Sequence, residues 1–245
     1  MRASDLEPFG VRQAAPETDA LSELRETATG STTFRAGEVT ADSPRIWVLA
    51  SHNEGKLREL NQLFAGLPVA LRTAAELRLA EPEETGATFE DNARLKAVAA
   101  SSATGLPALA DDSGVEVLAL GGEPGIHTGR WAGPDRDFDI ARRRVQERLV
   151  EMGPDVSRRA TYVCVLCVAW PDGRTRVFRG DTHGVLVWPI RGDLGHGFEP
   201  MFLPDGYAIT YGEMLPEHRS RVNARAQAIR KLRDSLFARR IMAGT

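Results

Sequence analysis

The chain has 245 residues, with 31 basic and 34 acidic side chains and a formal net charge of −3. This length suits one large domain or two small ones, and it buries enough surface to fold without disulfides. The nearly balanced charge gives no indication of a nucleic-acid polymer as partner. Because the sequence has no run of 18 apolar residues and no apolar leader, it predicts neither a membrane span nor secretion, and we expect a cytoplasmic protein.

The first part of the chain differs in composition from the rest. Residues 1–44 are mostly small, polar or charged, and we expect a disordered or loosely docked extension there, ahead of a single domain over residues 45–245. Apolar periodicity predicts a strand over 46–50, a helix over 54–65 and a short strand over 69–71.

The following elements alternate in the same way. A helix is predicted over residues 88–104, with Thr88 as N-cap and Gly105 as terminator. Further along, the sequence predicts a helix at about 136–151, a long hairpin closed by the Pro-Asp-Gly sequence at 171–173, and a helix at about 217–238. The pattern predicts an α/β fold around a central mixed sheet, since the hairpin adds antiparallel pairs.

Two cysteines, Cys164 and Cys167, lie in the first strand of the hairpin. Residues three apart on a strand face opposite sides of the sheet. We therefore expect two buried core residues rather than a redox pair.

The most informative stretch is Asp-Asp-Ser-Gly at residues 111–114, because apolar runs of strand character lie on both sides of it. Two adjacent carboxylates at the end of a buried strand repel each other and are costly to desolvate. A cation removes that cost, and Mg²⁺ prefers hard oxygen ligands. The alternative is an ordinary solvated turn.

Two further segments can supply polar groups to the same place. Ser51, Asn53 and Lys56 follow the first strand at the start of a helix, where free N–H groups favour phosphate. Only three of the 31 basic residues are lysines, which makes Lys56 more notable. Residues 81–92 form an acidic loop that leads into the next helix and offers a second carboxylate. The alternatives are a simply capped helix and acidic residues placed by the helix dipole.

Together these blocks resemble one known family. Residues 51–56 resemble its T/S-x-N-x-x-K opening, residues 83–97 its E-E-T-G-x-T-F-x-x-N-A-x-x-K-A block, and residues 110–130 its A-D-D-S-G…G-G-x-P-G-I…R block. The family is that of the inosine triphosphate (XTP/dITP) pyrophosphatases. The resemblance extends from residue 46 to about 236.

The resemblance implies an elongated, two-lobed fold with the active site in a cleft between the lobes. It implies hydrolysis of a non-standard purine nucleoside triphosphate to monophosphate and pyrophosphate, with Mg²⁺ as cofactor, and a homodimer. Asp112 would be the general base and a metal ligand. The other expected metal ligands are Glu83 and Asp111, and the expected phosphate-binding residues are Ser51, Asn53, Lys56 and Ser113.

The C-terminal third departs from the family pattern. Where the family has G-G-F-G-Y-D-P, this chain has His196 for the aromatic residue that stacks on the base, Gly197 unchanged, Phe198 for tyrosine and Glu199 for aspartate. We expect these four to contact substrate, together with two arginines further on, Arg219 and Arg225.

The family's K-x-x-x-S-H-R block is also altered. It begins with Arg219 and has Asn223 for serine and Ala224 for histidine, and only Arg225 is unchanged. Ala224 cannot donate a side-chain hydrogen bond.

These changes leave three alternatives open. The pocket has drifted without changing the preferred base, or it has been retuned to another, modified nucleotide of a specialised biosynthetic pathway. The third alternative is a nucleotide-binding regulator without turnover. A related pyrophosphatase of the Maf type is less favoured, because the E-E-T-G and A-D-D-S-G blocks occur together.

Overall fold

The computed structural model describes residues 45–51, 60–61, 64–67 and 69–241, with side chains as far as residue 237. Within these ranges there are seven strands: β1 (Arg45–Leu49), β2 (Val69–Thr73), β3 (Ala108–Val117), β4 (Pro124–Gly125), β5 (Arg159–Ala169), β6 (Thr175–Leu186) and β7 (Phe202–Pro204). The same ranges contain four α-helices: α1 (Phe89–Thr104), α2 (Phe138–Glu151), α3 (Pro216–Val222) and α4 (Ala224–Ile241). The predicted extension over 1–44 lies outside the described residues, as does most of the predicted helix over 54–65.

All seven strands belong to one sheet in the order β2-β1-β3-β5-β6-β7, with β4 paired to β3. β1 runs parallel to β2 and β3, and the remaining pairs are antiparallel. The predicted α/β class and central mixed sheet are therefore confirmed. No helix in the described part of the chain is long and apolar enough to cross a membrane.

Helix α1 begins and ends where the sequence predicts. The Thr88 hydroxyl accepts a hydrogen bond from the Asp91 backbone N–H at 3.1 Å and donates to the Asp91 carboxylate at 2.7 Å. Gly105 ends the helix with φ at 70°, a conformation that glycine adopts without steric cost. These two ends fix which side chains of α1 face the sheet.

Strand β3 differs from the prediction, because Asp111 and Asp112 lie inside one continuous strand rather than at the end of one. Its pairing with β5 covers the whole strand, whereas its pairing with β1 covers only Ala108 and Leu109. The two carboxylates therefore lie just beyond the carboxyl end of β1, where that edge of β3 no longer has β1 beside it. An edge of this kind leaves room for a ligand.

Helices cover both faces of the sheet, and this separates the adjacent carboxylates. Leu109 packs in an apolar cluster with Ile229 of α4, and Ala110 packs in another with Phe89 of α1. Side chains along a strand alternate between its two faces, so Asp111 and Asp112 also lie on opposite faces of the sheet. The first carboxylate is on the α4 side and the second is on the α1 side.

The predicted C-terminal helix is two helices. Asn223 between them is extended, with φ at −73° and ψ at 168°, and its side-chain oxygen accepts a hydrogen bond from the backbone N–H of Ala226 at 2.9 Å. Asparagine is a favoured N-cap, so it ends α3 and starts α4. The sequence did not reveal this break, since neither proline nor glycine marks it.

The hairpin of β5 and β6 is confirmed, with its turn at the predicted Pro-Asp-Gly sequence. Cys164 and Cys167 are buried and free, and they pack in different clusters on opposite faces. Burial raises the pKa of the Cys167 thiol to about 11, so it is protonated at neutral pH. Both features agree with the predicted core role.

The long strands carry more than one core. At one end the sheet packs against α4, which includes Phe237. At the other end Val115 and Leu186 pack with Val145 of α2 and with Met201. The middle of β3, between these two cores, holds the Asp-Asp pair.

Candidate active site

The centre of the site is a buried ion pair between β3 and α1. The Lys96 ammonium lies 2.9 Å from Asp112 Oδ1 and 2.8 Å from Glu84 Oε1. Lys96 is 6% exposed and Asp112 is 7% exposed. Buried charged groups are stable only where partners compensate for the lost hydration. Here Lys96 is the partner of Asp112, and both carboxylates are partners of Lys96.

The proton affinities of this pair are perturbed. Burial raises the pKa of Asp112, the attraction of Lys96 acts in the opposite direction, and repulsion from Glu84 and Asp111 adds to the increase. Burial opposes the charge on Lys96, but the attraction of Asp112, Asp111 and Glu84 outweighs it and raises the pKa of Lys96. A carboxylate with a raised pKa beside a permanent cation is typical of acid–base sites.

Asn92 connects this pair to the acidic loop, which we define as residues 81–87. Its side-chain oxygen accepts a hydrogen bond from Gly86 N at 2.8 Å, and its amide nitrogen lies 3.4 Å from Asp112 Oδ2. Asn92 has no exposed surface. A Cβ added at Gly86 would lie 2.6 Å from that side-chain oxygen, so only glycine fits at this contact.

On the opposite face, Asp111 has its own cation. Its carboxylate accepts hydrogen bonds from Arg225 of α4 at 3.0 Å and from the Ser113 hydroxyl at 3.1 Å. The structure thus joins Asp111, Ser113 and Arg225, three predicted site residues, in one contact group. It gives the two adjacent carboxylates separate positive partners, which is how the chain limits their repulsion.

The predicted phosphate-binding segment is only partly described. Ser51 is buried and follows β1 directly, where the Ala50 N–H donates to Leu109 O at 2.8 Å and keeps the chain beside β3. Asn53 and Lys56 lie outside the described residues, so their role stays a prediction.

The acidic loop has no regular secondary structure, and the exposure of its residues alternates. Residues 82, 84 and 86 are half-buried, whereas 81, 83 and 85 are exposed. Glu84 therefore faces Lys96, and Glu83 faces solvent. The loop does approach the Asp-Asp strand, as predicted, but the carboxylate that contacts Lys96 beside Asp112 is that of Glu84.

The altered glycine-rich block forms a tightly held loop, residues 194–200. The Glu199 carboxylate accepts a hydrogen bond from the His196 backbone N–H at 2.6 Å and lies 3.3 Å from Arg219 Nε. The His196 side chain is exposed, with its ring edge-on to Phe138 at a centroid distance of 4.9 Å. Gly197 is buried with φ at 62°, and its carbonyl accepts a hydrogen bond from Arg142.

Two residues that are predicted to contact substrate have partners within the protein. Phe198 has no exposed surface and packs in the core against Phe138, so its side chain supports the loop. The guanidinium of Arg219 donates to the carbonyls of Leu194 at 3.0 Å and Tyr211 at 2.9 Å. Both residues hold the loop in place, and their contact with substrate stays a prediction.

A cavity of about 350 Å³ lies between this loop and the start of α2. Its walls include Phe138, Arg142 and Asp139 on the helix side and Asp193, His196 and Gly197 on the loop side. An aromatic wall flanked by charges of both signs suits a flat, polar ring. Of the predicted substrate-binding residues, His196 and Gly197 line this cavity.

The site has the chemistry for a magnesium ion but not a complete protein cage. In the described ranges, no three His, Cys, Asp or Glu side chains converge closely enough to hold a metal ion. Mg²⁺ needs only one or two carboxylates when phosphate oxygens and water complete its shell, so the donor set fits. The metal-binding roles of Glu83, Asp111 and Asp112 stay predictions.

Three important residues were not among the predicted site residues: Lys96, Glu84 and Asn92. Each stands inside the block that carries the family resemblance, and Lys96 is one of only three lysines. The signal that could have indicated Asn92 and Lys96 is their helical spacing, since residues four apart lie on the same face of α1.

The mixed sheet and this site define an α/β protein with a buried carboxylate–lysine pair at the open edge of its central strand. Comparison with known proteins then gives its family. The model of the Ham1 family matches residues 47–235, and the chain belongs to that family.

Curated relatives and solved structures support the same family. The chain is 51% identical over 182 residues to the dITP/XTP pyrophosphatase of Gluconobacter oxydans, which covers 74% of this chain and 86% of the relative. It is 51% identical over 191 residues to the dITP/XTP pyrophosphatase of Rhodospirillum centenum, covering 78% and 94%. The structure of a HAM1 protein from Coxiella burnetii is 34% identical with a TM-score of 0.73, covering 77% of this chain and 96% of that one. The resemblance inferred from the motifs is confirmed.

Proposed function

We propose that this protein hydrolyses a non-standard purine nucleoside triphosphate, such as inosine or xanthosine triphosphate, to the monophosphate and pyrophosphate. One observation carries the proposal, the buried carboxylate of Asp112 held by Lys96 at the open edge of β3. The names of relatives about 50% identical to the chain support the reaction and the substrate class.

We propose separate tasks for the two oxygens of Asp112. Among the described residues, Oδ1 is held by Lys96, whereas Oδ2 has one long contact of 3.4 Å with Asn92. Oδ2 is therefore the oxygen that accepts a proton from water. The water oxygen forms a bond to phosphorus, the bond between the α and β phosphates breaks, and the bridging oxygen leaves with pyrophosphate.

Lys96 keeps the base in place during this step. When Asp112 takes up the proton, its charge is lost, and Glu84 still balances the ammonium at 2.8 Å. The lysine therefore need not move between the two protonation states. This preorganisation favours the reaction, because positioning and charge balance supply most of the catalysis in phosphoryl transfer.

When bound, magnesium would neutralise phosphate charge and complete its shell with phosphate oxygens. We propose Asp112 and Glu83 as its protein ligands, with Asp111 next to them. We propose that Ser51, Ser113 and the predicted residues Asn53 and Lys56 hold phosphate. Arg225 on the other face supplies a positive charge beside the same strand, and we propose that it also contacts substrate.

Two arginines contact the two parts of the proposed site. Arg225 contacts the carboxylate strand, and Arg219 contacts the loop that carries His196. Arg219 lies in α3 before the break at Asn223, and Arg225 lies in α4 after it. We therefore propose that phosphates bind at β3 while the base lies against His196.

A panel assay tests the proposal. Purified protein is incubated with the triphosphates of inosine, xanthosine, adenosine, guanosine and the pyrimidine nucleosides, with Mg²⁺ or with chelator, and pyrophosphate is measured. We expect Mg²⁺-dependent pyrophosphate release, fastest with inosine or xanthosine triphosphate. A protein that binds these nucleotides without turnover would instead be the regulator considered above.

A second candidate is the same reaction with weaker selection of the base. It is favoured by His196, which offers less stacking area than a phenyl ring, and by Ala224, which is 3% exposed and has no side-chain donor. We expect a smaller ratio of kcat/KM between inosine and adenosine triphosphates than for a relative with Phe and Ser-His-Arg in these blocks. A preference of a thousandfold or more would contradict this second candidate.

We also propose a homodimer, on the basis of the family resemblance. The exposed apolar side chains of Trp188 and Ile209 are compatible with such a contact. Light scattering after gel filtration should give twice the mass of the chain, and a monomer at micromolar concentration would contradict this.

A further inference from the structure

The acidic loop has no regular secondary structure, yet it is firmly attached to the rest of the site. The guanidinium of Arg130 donates to the carbonyl of Glu84 at 2.8 Å, across 46 residues of chain. Gly86 N donates to Asn92 at 2.8 Å, and the Glu84 carboxylate is paired with Lys96. The peptide of Glu84 is thus held from outside by Arg130, while its side chain is held from inside by Lys96.

Arg130 is well placed for such a role. It opens the one-turn helix Arg130–Ala132, whose next two residues are almost completely buried, Trp131 at 8% and Ala132 at 0% exposure. Its backbone is therefore fixed to the core, whereas its own side chain is on the surface. The exposed side chain of Arg130 contributes little to the core. Its main described contact is the hydrogen bond to the Glu84 carbonyl in the acidic loop.

The contacts form one continuous series from the surface to the base. Arg130 fixes the Glu84 peptide, the Glu84 carboxylate fixes the Lys96 ammonium, and Lys96 occupies Asp112 Oδ1 at 2.9 Å. If the peptide of Glu84 were to move, Lys96 would lose one of its two carboxylate partners. The orientation of the Asp112 carboxylate would then be less well defined.

We propose that Arg130 is a positioning residue of the hydrolytic site, which holds Glu84 against Lys96 and thereby orients Asp112. This inference rests on the proposed function. It assigns no contact with substrate to Arg130, so its effect should appear in kcat rather than in KM.

The first measurement uses turnover. Arg130→Met should lower kcat about tenfold or more with KM within threefold, and Arg130→Lys should recover part of the loss, because lysine can still donate one hydrogen bond. Glu84→Gln should lower kcat as well. Since both residues act through Lys96, the double variant should be no slower than the slower single variant. Arg72→Met, which removes an exposed ion pair with Glu76, is the matched control.

The second measurement does not depend on turnover. With only three lysines in the chain, acetylation by acetic anhydride can be followed site by site by mass spectrometry. Lys96 should react slowly in the native protein, and at least fivefold faster in Arg130→Met. The exposed Lys231 should react at the same rate in both proteins.

The two measurements separate the two ideas. If the native protein hydrolyses none of the triphosphates, the proposed function fails, and the acetylation rates still decide the role of Arg130. An unchanged Lys96 rate in folded Arg130→Met overturns the inference, whatever the activity. Multiplying effects in the double variant would overturn it too.

Discussion

At the scale of single residues, the site depends on how strand β3 positions two neighbouring carboxylates. Asp111 and Asp112 are adjacent in sequence but face opposite sides of β3, and each has a cation of its own. The motif alone suggested mutual repulsion relieved by a metal. The structure adds that alternation along the strand separates the two charges within the protein.

The first prediction concerns the base. Asp112→Asn keeps the size of the side chain but removes its charge and basicity, so it should lower kcat at least a hundredfold. The folded state should persist, because Asn can still accept a hydrogen bond from Lys96. Turnover is measured by pyrophosphate release and folding by circular dichroism.

The matched control for this variant is Asp205→Asn, an exposed residue that pairs with Arg159 at 2.7 Å. It should retain kcat within twofold. If folded Asp112→Asn protein turned over at nearly the native rate, Asp112 would not be the base.

At the scale of elements, the break between α3 and α4 is the feature that local sequence reasoning missed. Periodicity predicted one helix over about 217–238, whereas Asn223 divides it. The reason is local and polar, since an asparagine side chain offers the backbone an alternative partner. The break aims Arg225 at Asp111 while Arg219, before the break, holds the loop near His196.

The second prediction tests the cap. Asn223→Ala removes the hydrogen bond to Ala226 N and should lower the free energy of unfolding by about 0.5–2 kcal/mol. Asn223→Ser should be nearly neutral, because serine is an equally good N-cap. Urea denaturation measures both variants. Equal loss in the two variants would show that the side-chain cap contributes nothing.

Other elements were predictable for identifiable reasons. Helix α1 was predicted closely because Thr88, Asp91 and Gly105 are strong local signals at its two ends. The continuity of β3 through the Asp-Asp-Ser-Gly sequence was not, since those four residues favour a turn locally and only pairing with β5 along the whole strand overrides this.

The same limit applies to the site. The blocks that carry the family resemblance located β3, Ser51 and the acidic loop. Which carboxylate of the loop faces inward depends on a segment without regular secondary structure, and so Glu84 was missed. The sequence also could not indicate that Arg219 and Phe198 have partners within the 194–200 loop and its surroundings.

At the scale of the whole molecule, the long strands β3, β5 and β6 connect two apolar cores, with the Asp112–Lys96 pair between them. The proposed phosphate side of the site depends on β3 and α1. The proposed base side depends on the 194–200 loop and the cavity beside α2. Because these parts are carried by different elements, affinity for the base can change while the hydrolytic residues stay the same.

The third prediction follows from this separation. His196→Phe enlarges the aromatic surface at the cavity and should lower KM for purine triphosphates about threefold to tenfold, since part of a stacking free energy of about 1–3 kcal/mol is regained. Inhibition by tripolyphosphate, which has no base, should not change. Steady-state kinetics measure both quantities, and a parallel change in tripolyphosphate inhibition would place His196 on the phosphate side instead.

The central claim is that the protein cleaves a purine nucleoside triphosphate between its α and β phosphates. Phosphorus NMR of inosine triphosphate incubated with the protein and Mg²⁺ tests this most directly, with Asp112→Asn protein as the control. We predict inosine monophosphate and pyrophosphate in equal amounts, no inosine diphosphate, and almost no reaction with the variant. Formation of inosine diphosphate and orthophosphate, or equal rates for the native and variant proteins, would contradict the account.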